Sequence, residues 1–502
     1  MKKSVLLIGI DGASWDLITP WILEDKLPTL KRLYEEGVCG NLKSTIPPES
    51  GSAWVSLATG KNPGKHGIYG FMTSGKLINA TQVKTKRIWH KLTEHGKRSC
   101  IINIPVTYPV EEINGYMVSS FLTPADEKVY SYPPELMDSL KRNDYKIDVK
   151  YERYGFMPDQ RDIIEKRGEL KKQLYDIMEK RYLTVKEFMD EKWDLFMINF
   201  KECDEFQHLF WDEKETILEF FQKLDSYIDN LINKFKEKNP NAFVLIVSDH
   251  GFASSPNRVF NLRVWMQQKN ILYDKRTMIQ KIVPPVYRKL TKIPFFSFIS
   301  KSNKFKETRE KFHRDSIEST PVYYKESGIY LDKNVYSGEE YEKLRGRIIS
   351  ELKEVKDPST GEYVFKILGK NENIYFGPYA NYGPDIIALS KHNYAASFSY
   401  ESNELFDDIH LNIPGRHFSE IYGIFIASGD DIKTGKFNGL SILDINPTIC
   451  HILDIPLDKD CDGQVLRTIF KIESPYYSKE TKYSEEIQEK QKIKDALQKI
   501  KL

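Results

Sequence analysis

With 502 residues, 40% of them hydrophobic and 29% charged, the chain has the make-up of a soluble globular protein. It is long enough for two to four domains of roughly 150 residues each. Its 74 basic residues nearly cancel 72 acidic ones, and a net charge of +2 gives no global attraction to nucleic acid. Five scattered cysteines (Cys39, Cys100, Cys203, Cys450, Cys461) lack paired spacing. They read as free thiols in a reducing compartment and exclude a disulfide frame or a zinc knuckle.

The chain opens "MKKSVLLIGIDG". Its apolar run, Val5 to Ile10, is too short for a signal-peptide core, and no later segment approaches the roughly 20 apolar residues of a membrane span. The expected location is the cytoplasm. The same run, closed by Asp11-Gly12, has the look of a strand buried on both faces. Similar runs recur at residues 99–105, 194–200, 242–251, 385–390 and 421–429. Helical patterns lie between them, among them "TLKRLYEEG", "KRIWHKLTEHG" and "ILEFFQKLDSYIDNLINKFKEK". Buried strands alternating with helices predict an α/β fold with a doubly wound sheet. The core is expected over 1–124, 193–255 and 385–473, with a charged helical insert at 125–192. A mixed α+β cap is expected at 256–384, and a polar tail with a terminal helix at 474–502.

Residues 45–60, "TIPPESGSAWVSLATG", place Ser50, Ser52 and Ser56 just after Pro47-Pro48. The stretch has the length of a short helix, and a serine at its start is expected to cap it. A helix N-terminus also offers free N–H groups to a phosphate, and a serine hydroxyl beside a metal there would ionise and act as a nucleophile.

In an open α/β sheet, ligands gather beyond the carboxyl ends of the strands. Asp11 follows the first run, Asp204 and His208 follow the third, and Asp249-His250 end the fourth. Singly, an Asp before Gly is a common turn residue, and Asp204 and His208 at i, i+4 merely share a helix face. Together they form an oxygen and nitrogen set suited to zinc or manganese. His417, before another buried run, adds one more imidazole.

In chain order, Asp11-Gly12, the hydroxyl residue before Thr59-Gly60 and His66-Gly67-Ile68, Asp204-x-x-x-His208, Ser248-Asp249-His250-Gly251 and Gly415-x-His417 resemble the alkaline phosphatase superfamily. More narrowly, they resemble its type I phosphodiesterase/nucleotide pyrophosphatase branch, over roughly residues 3–120, 193–255 and 385–470. The resemblance implies an alkaline-phosphatase-like fold and a phosphoric ester hydrolase, phosphodiesterase or phosphatase, working through a seryl-phosphate. It implies two divalent metals, zinc or manganese, one on Asp204, His208 and His417, the other on Asp11, Asp249 and His250. The nucleophile nine residues before the Thr of Thr-Gly is Ser50, which would also touch metal.

Two departures stand out. Ser50 replaces the usual Thr, and Ala53 stands where an Asn would steady a phosphoryl oxygen. That leaves the backbone N–H of Gly51, with Lys61, as oxyanion donors. "SGSAW" lacks the Pro and Arg that sulfatase relatives need for formylglycine, so the serine is expected to be unmodified. The alternatives are a phosphomutase or phosphotransferase of the same superfamily, or a metal-stabilised scaffold that binds a partner without catalysis.

The expected substrate is a phosphate ester linked to a nucleotide, sugar or lipid. Residues 275–306 carry Lys and Arg interleaved with apolar residues and no acid, as either a solvated cap or a lid touching an anionic membrane face.

Overall fold

The computed structural model describes residues 3–73, 76–149, 166–272, 321–325, 327–398, 402–408 and 413–484. Its contacts divide the chain into two units, Met1–Ser254 with Phe376–Tyr379 and Asn412–Leu502, and Ser255–Tyr375 with Ala380–Leu411.

The first unit is built on nine strands: β1 (Val5–Ile10), β2 (Val38–Lys43), β3 (Ser99–Ile102), β4 (Gly115–Val118), β5 (Ser131–Tyr132), β6 (Leu195–Phe200), β7 (Phe243–Val247), β8 (Tyr422–Ser428) and β9 (Gly435–Ser441). They hydrogen-bond in the order β9-β2-β8-β7-β1-β6-β3-β4-β5. The central strands β1, β6 and β7 are parallel and wholly buried. That is why their sequences are continuous apolar runs without the alternation of a half-exposed strand. Side chains of β1 nevertheless alternate: Leu6, Ile8 and Ile10 enter one core, Val5 and Leu7 the other. The edge strand β9, "GKFNGLS", is largely exposed and correspondingly polar.

Helices cover both faces. On one side pack Trp15–Leu23, Pro28–Glu36, Arg167–Phe188 and Lys214–Lys238; on the other Ser50–Thr59, Ile88–Glu94 and Ile445–Leu453. The helix Pro28–Glu36 has no cap of its own at Leu27. Asp225, from the middle of Lys214–Lys238, instead accepts the N–H groups of Thr29 (2.9 Å) and Leu30 (2.8 Å).

The segment expected as a separate helical insert, 125–192, belongs to this first unit. It supplies the edge strand β5, and Leu170, Leu174 and Ile177 of Arg167–Phe188 are part of the main core.

The second unit has its own core around Phe260, Trp265, Ile329 and Ile348. An antiparallel sheet runs Val322–Lys325, Gly328–Leu331, Ile386–Ser390, Phe365–Lys370, and three further strands join Tyr394–Ser397, Arg258–Asn261 and Phe406–Asp408. The run at 385–390, expected in the catalytic sheet, is thus an inner strand here. Burial on both faces made it apolar, and apolarity does not say which sheet a strand joins. The basic-aromatic stretch 275–306 lies outside the described residues, as does the predicted terminal helix. Among the described residues no helix is long and apolar enough to cross a membrane.

Candidate metal centre and nucleophile

Sheet direction brings the candidate residues to one edge. Asp11 is the first residue after β1, Asp249 and His250 follow β7 by two and three residues, and the helix Glu202–Phe210 after β6 carries Asp204 and His208. These three strands are adjacent and parallel, so all five residues leave the sheet on the same side. Strand β8 runs antiparallel to β7, so the residue that reaches this edge is one that precedes it, His417. Strand β2 is antiparallel to β8 in turn, and its carboxyl end delivers residues 44–50 to the same place. Gly12 makes the turn after β1 at φ +68°, and a Cβ there would stand 3.1 Å from Asp204 Oδ1.

The side chains converge in two groups, Asp204, His208, His417 and Asp11, Asp249, His250, the ligand atoms within each lying within 4.8 Å of one another. All three imidazoles are held the same way. His208 Nδ1 is 2.8 Å from the Gly415 carbonyl, His250 Nδ1 3.0 Å from that of Gly251, and His417 Nδ1 3.2 Å from that of Pro48. A carbonyl only accepts, so each Nδ1 carries a proton and each ring turns its Nε2 inward, the tautomer that offers a lone pair to a cation. The Nε2 atoms face carboxylate oxygens: His208 to Asp204 at 3.3 Å, His250 to Asp249 at 3.3 Å, His417 to Asp204 at 3.8 Å. The rings of His250 and His417 stack at 3.9 Å and join the two groups.

Asp11 Oδ1, Asp204 Oδ1 and Asp249 Oδ2 are buried and meet no donor. A partnerless carboxylate oxygen costs several kcal/mol (roughly 1–3 at least), and three within one cluster of inward Nε2 atoms describe a seat for positive charge. The titration behaviour agrees. Burial, then the charges of Asp249 and Asp204, hold Asp11 well above the usual carboxylate range. Burial and Asp204 push Asp249 up to about 7. Burial acts on Asp204 in the same sense, but His208 and His417 outweigh it and the net shift is downward. Burial and His250 take His417 well below its ordinary value. Without a cation the carboxylates cannot all ionise together; the residues present fit divalent metal.

Ser50 begins the helix Ser50–Thr59, and its hydroxyl donates to His250 Nε2 over 3.1 Å. Gly51 follows in the same first turn, where N–H groups have no intrahelical acceptor. The other serines are engaged elsewhere. Ser52 Oγ donates to the Glu49 carbonyl (3.1 Å) and meets Thr45 Oγ1 (3.0 Å). His66 Nδ1 accepts from the Ile68 N–H at 3.2 Å, so its Nε2 donates to Ser56 Oγ at 2.8 Å. The expected serine cap is absent: the N-cap is Glu49, with no side-chain cap bond.

Lys61 is a correction too. It lies past the opposite end of the helix, about 15 Å along the axis from Ser50. There its ammonium pairs with Asp460 (2.7 Å) and Asp458 (3.2 Å), so it is no oxyanion donor.

Three supporting residues escaped the sequence reading. Asn199 Nδ2 (2.7 Å) and Trp54 Nε1 (3.3 Å) both donate to Asp11 Oδ2, and Gln207 Nε2 donates to the Gly12 carbonyl (3.1 Å). A signal for Asn199 did exist, since it is the one polar residue of β6, "LFMINF". It sits in register with Gly9, where a Cβ would meet Asn199 Oδ1 at 2.7 Å and Trp54 at 2.4 Å.

The type I phosphodiesterase / nucleotide pyrophosphatase family matches residues 5–408. No curated protein matches the chain. Among solved structures it is similar to an inactive form of murine ectonucleotide pyrophosphatase/phosphodiesterase 5 in complex with AMP, at 14% identity over 94% of this chain and 100% of that one, TM-score 0.54. The human counterpart is similar at 14% identity over 93% and 100%, TM-score 0.53. The wild-type alkaline phosphatase PafA is similar at 15% identity over 94% and 99%, TM-score 0.57. At such identities the likeness speaks for the fold, which is alkaline-phosphatase-like.

Proposed function

Since the chain belongs to the type I phosphodiesterase / nucleotide pyrophosphatase family, and so to the phosphoric ester hydrolases of the alkaline phosphatase superfamily, we propose that Ser50 is its nucleophile beside two divalent cations. The observation that carries this reading is the cluster of three buried, donorless carboxylate oxygens in the two ligand groups around the Ser50 hydroxyl. Asp204, His208 and His417 would hold one cation; Asp11, Asp249 and His250 the other. Mixed carboxylate and imidazole ligands suit zinc or manganese. When bound, such ions supply Lewis acidity and positive charge against the oxygens of a phosphoryl group in transfer.

The chain's own residues do the rest. Ser50 Oγ forms a bond to phosphorus as the bond to the leaving oxygen breaks; its proton goes to solvent and the ester oxygen leaves. Gly51 N–H, at the positive end of the helix, donates to a phosphoryl oxygen, a task the methyl of Ala53 cannot share. Water then breaks the Oγ–phosphorus bond and its hydrogen restores the serine hydroxyl; phosphate leaves when the substrate is a monoester, and a phosphate monoester leaves when it is a diester. The substrate is a small phosphate ester, with nucleotide-linked compounds first to test because the murine relative is in complex with AMP. Five free thiols favour a reducing compartment, and the cytoplasm is the proposed location.

The test is Ser50→Ala on metal-reconstituted protein with a panel of aryl phosphate monoesters and diesters. Turnover should fall by more than about a thousandfold. Wild-type rates in the variant would end the assignment.

A further inference from the structure

The two ligand groups meet through the stacked rings of His250 and His417. A second connection runs through a side chain that belongs to neither group. Gln207 lies one turn beyond Asp204 on the helix Glu202–Phe210, so the two share a face. Its carboxamide is wholly buried, and Nε2 donates over 3.1 Å to each of two carbonyls, that of Cys203 in its own helix and that of Gly12 in the turn after β1. Both partners only accept, which fixes the orientation of the amide. Gly12 in turn donates its N–H to Asp249 Oδ1 over 3.3 Å, and it directly follows Asp11. Two of the three ligands of the second group thus depend on how one glycine, at φ +68°, is held. With Oδ1 engaged, Asp249 keeps Oδ2, buried and donorless, for a cation.

Stability gives no reason for this bond. Gln207 satisfies the Gly12 carbonyl but leaves its own Oε1 buried without a donor, so one unpaired acceptor stands in place of another. What the carboxamide adds is geometry. A Cβ on Gly12 would stand 3.1 Å from both Gln207 Nε2 and Asp204 Oδ1. The amide therefore lies beside a ligand of the first group while it holds the turn that orients the second. We propose that Gln207 is a positioning residue that couples the two cation seats, locking Asp11 and Asp249, through Gly12, to the helix that carries Asp204 and His208. This rests on the reading of the two groups as metal sites. The effect falls on the second group, because His208 keeps its own support on the Gly415 carbonyl.

Isothermal titration of the full-length, chelator-stripped protein with zinc, repeated with manganese, tests this. The wild type is expected to take up two ions per chain. Gln207→Met keeps the length of the side chain and removes the donor. It should bind one ion within about threefold of the wild-type affinity and the other about 10- to 100-fold more weakly. Its metal-free melting midpoint should stay within about 2 °C of wild type, as the even exchange of acceptors implies. The weakened seat is located with His208→Ala and His250→Ala, each of which removes a ligand from one group. Adding Gln207→Met to His208→Ala should weaken the remaining zinc binding by about tenfold or more. Adding it to His250→Ala should leave zinc binding within about threefold. Two ions held by Gln207→Met at wild-type affinity, or weakening confined to the Asp204, His208 and His417 group, would overturn the assignment. So would equal weakening of both ions or a clearly lowered metal-free midpoint, which are the marks of a merely structural residue. A wild type that binds fewer than two ions would instead remove the two-metal reading, and the role of Gln207 with it.

Discussion

Asp11 shows how a ligand is made by its neighbours. Asn199 and Trp54 saturate one carboxylate oxygen and leave the other free for a cation, so the orientation of the ligand is set from behind. Asn199→Ala removes the shorter of the two bonds. Metal affinity is expected to weaken by about 10- to 100-fold, read by competition with a chelating dye. Unchanged affinity would show that Trp54 alone orients the carboxylate. The three histidines follow the same logic through backbone carbonyls, which no single substitution can remove.

The helices are pinned to one another as much as to the sheet. Helix Pro28–Glu36 borrows Asp225 to satisfy two of its first N–H groups, and Thr29 Oγ1 returns a bond to the Asp225 carbonyl at 3.0 Å. Asp225→Ala would leave those donors buried and unpaired, which costs about 1–3 kcal/mol. Denaturant unfolding should show that loss, with a normal far-ultraviolet spectrum before the transition. A stability within error of wild type would mean that water replaces the carboxylate. The serine helix is stopped by a different device: Gly60 adopts the left-handed conformation at φ 69°, where Cys461 Sγ would stand 2.9 Å from a Cβ.

For the whole molecule the metal centre is a stability element as well as a chemical one. Burial and Asp204 raise Asp249 to about 7 from an ordinary 3.8. Between those values the metal-free folded protein holds more protons than the unfolded chain, so its stability falls as pH rises through that window. Cations take the place of those protons, and the stabilisation they confer grows over the same range. The melting midpoint of chelator-treated protein is expected to drop between about pH 4 and about pH 7. Zinc- or manganese-loaded protein should gain most at the upper end. Identical midpoints with and without metal at about pH 8 would speak against a cation between these ligands.

The linear chain marked the buried strands β1, β3, β6, β7 and β8 and the polar residues at their ends, because buried strands must be apolar and a carboxylate or imidazole that ends them is conspicuous. The shorter or half-exposed β2, β4, β5 and β9 carry no such run and were not legible. Asp11, Asp204, His208, Asp249, His250 and His417 were legible as candidates for that reason, whereas Ser50 was singled out from Ser52 and Ser56 only by the family resemblance. Which strands share a sheet was not legible. Residues 385–390 and 421–429 carry the same apolar signal, yet only the second lies beside β7. Nor did composition tell Lys61, bound to Asp458 and Asp460, from an active-site cation. Partnership between charges far apart in the chain is a property of distance, and the antiparallel turn of β8 and β2 fixed those distances.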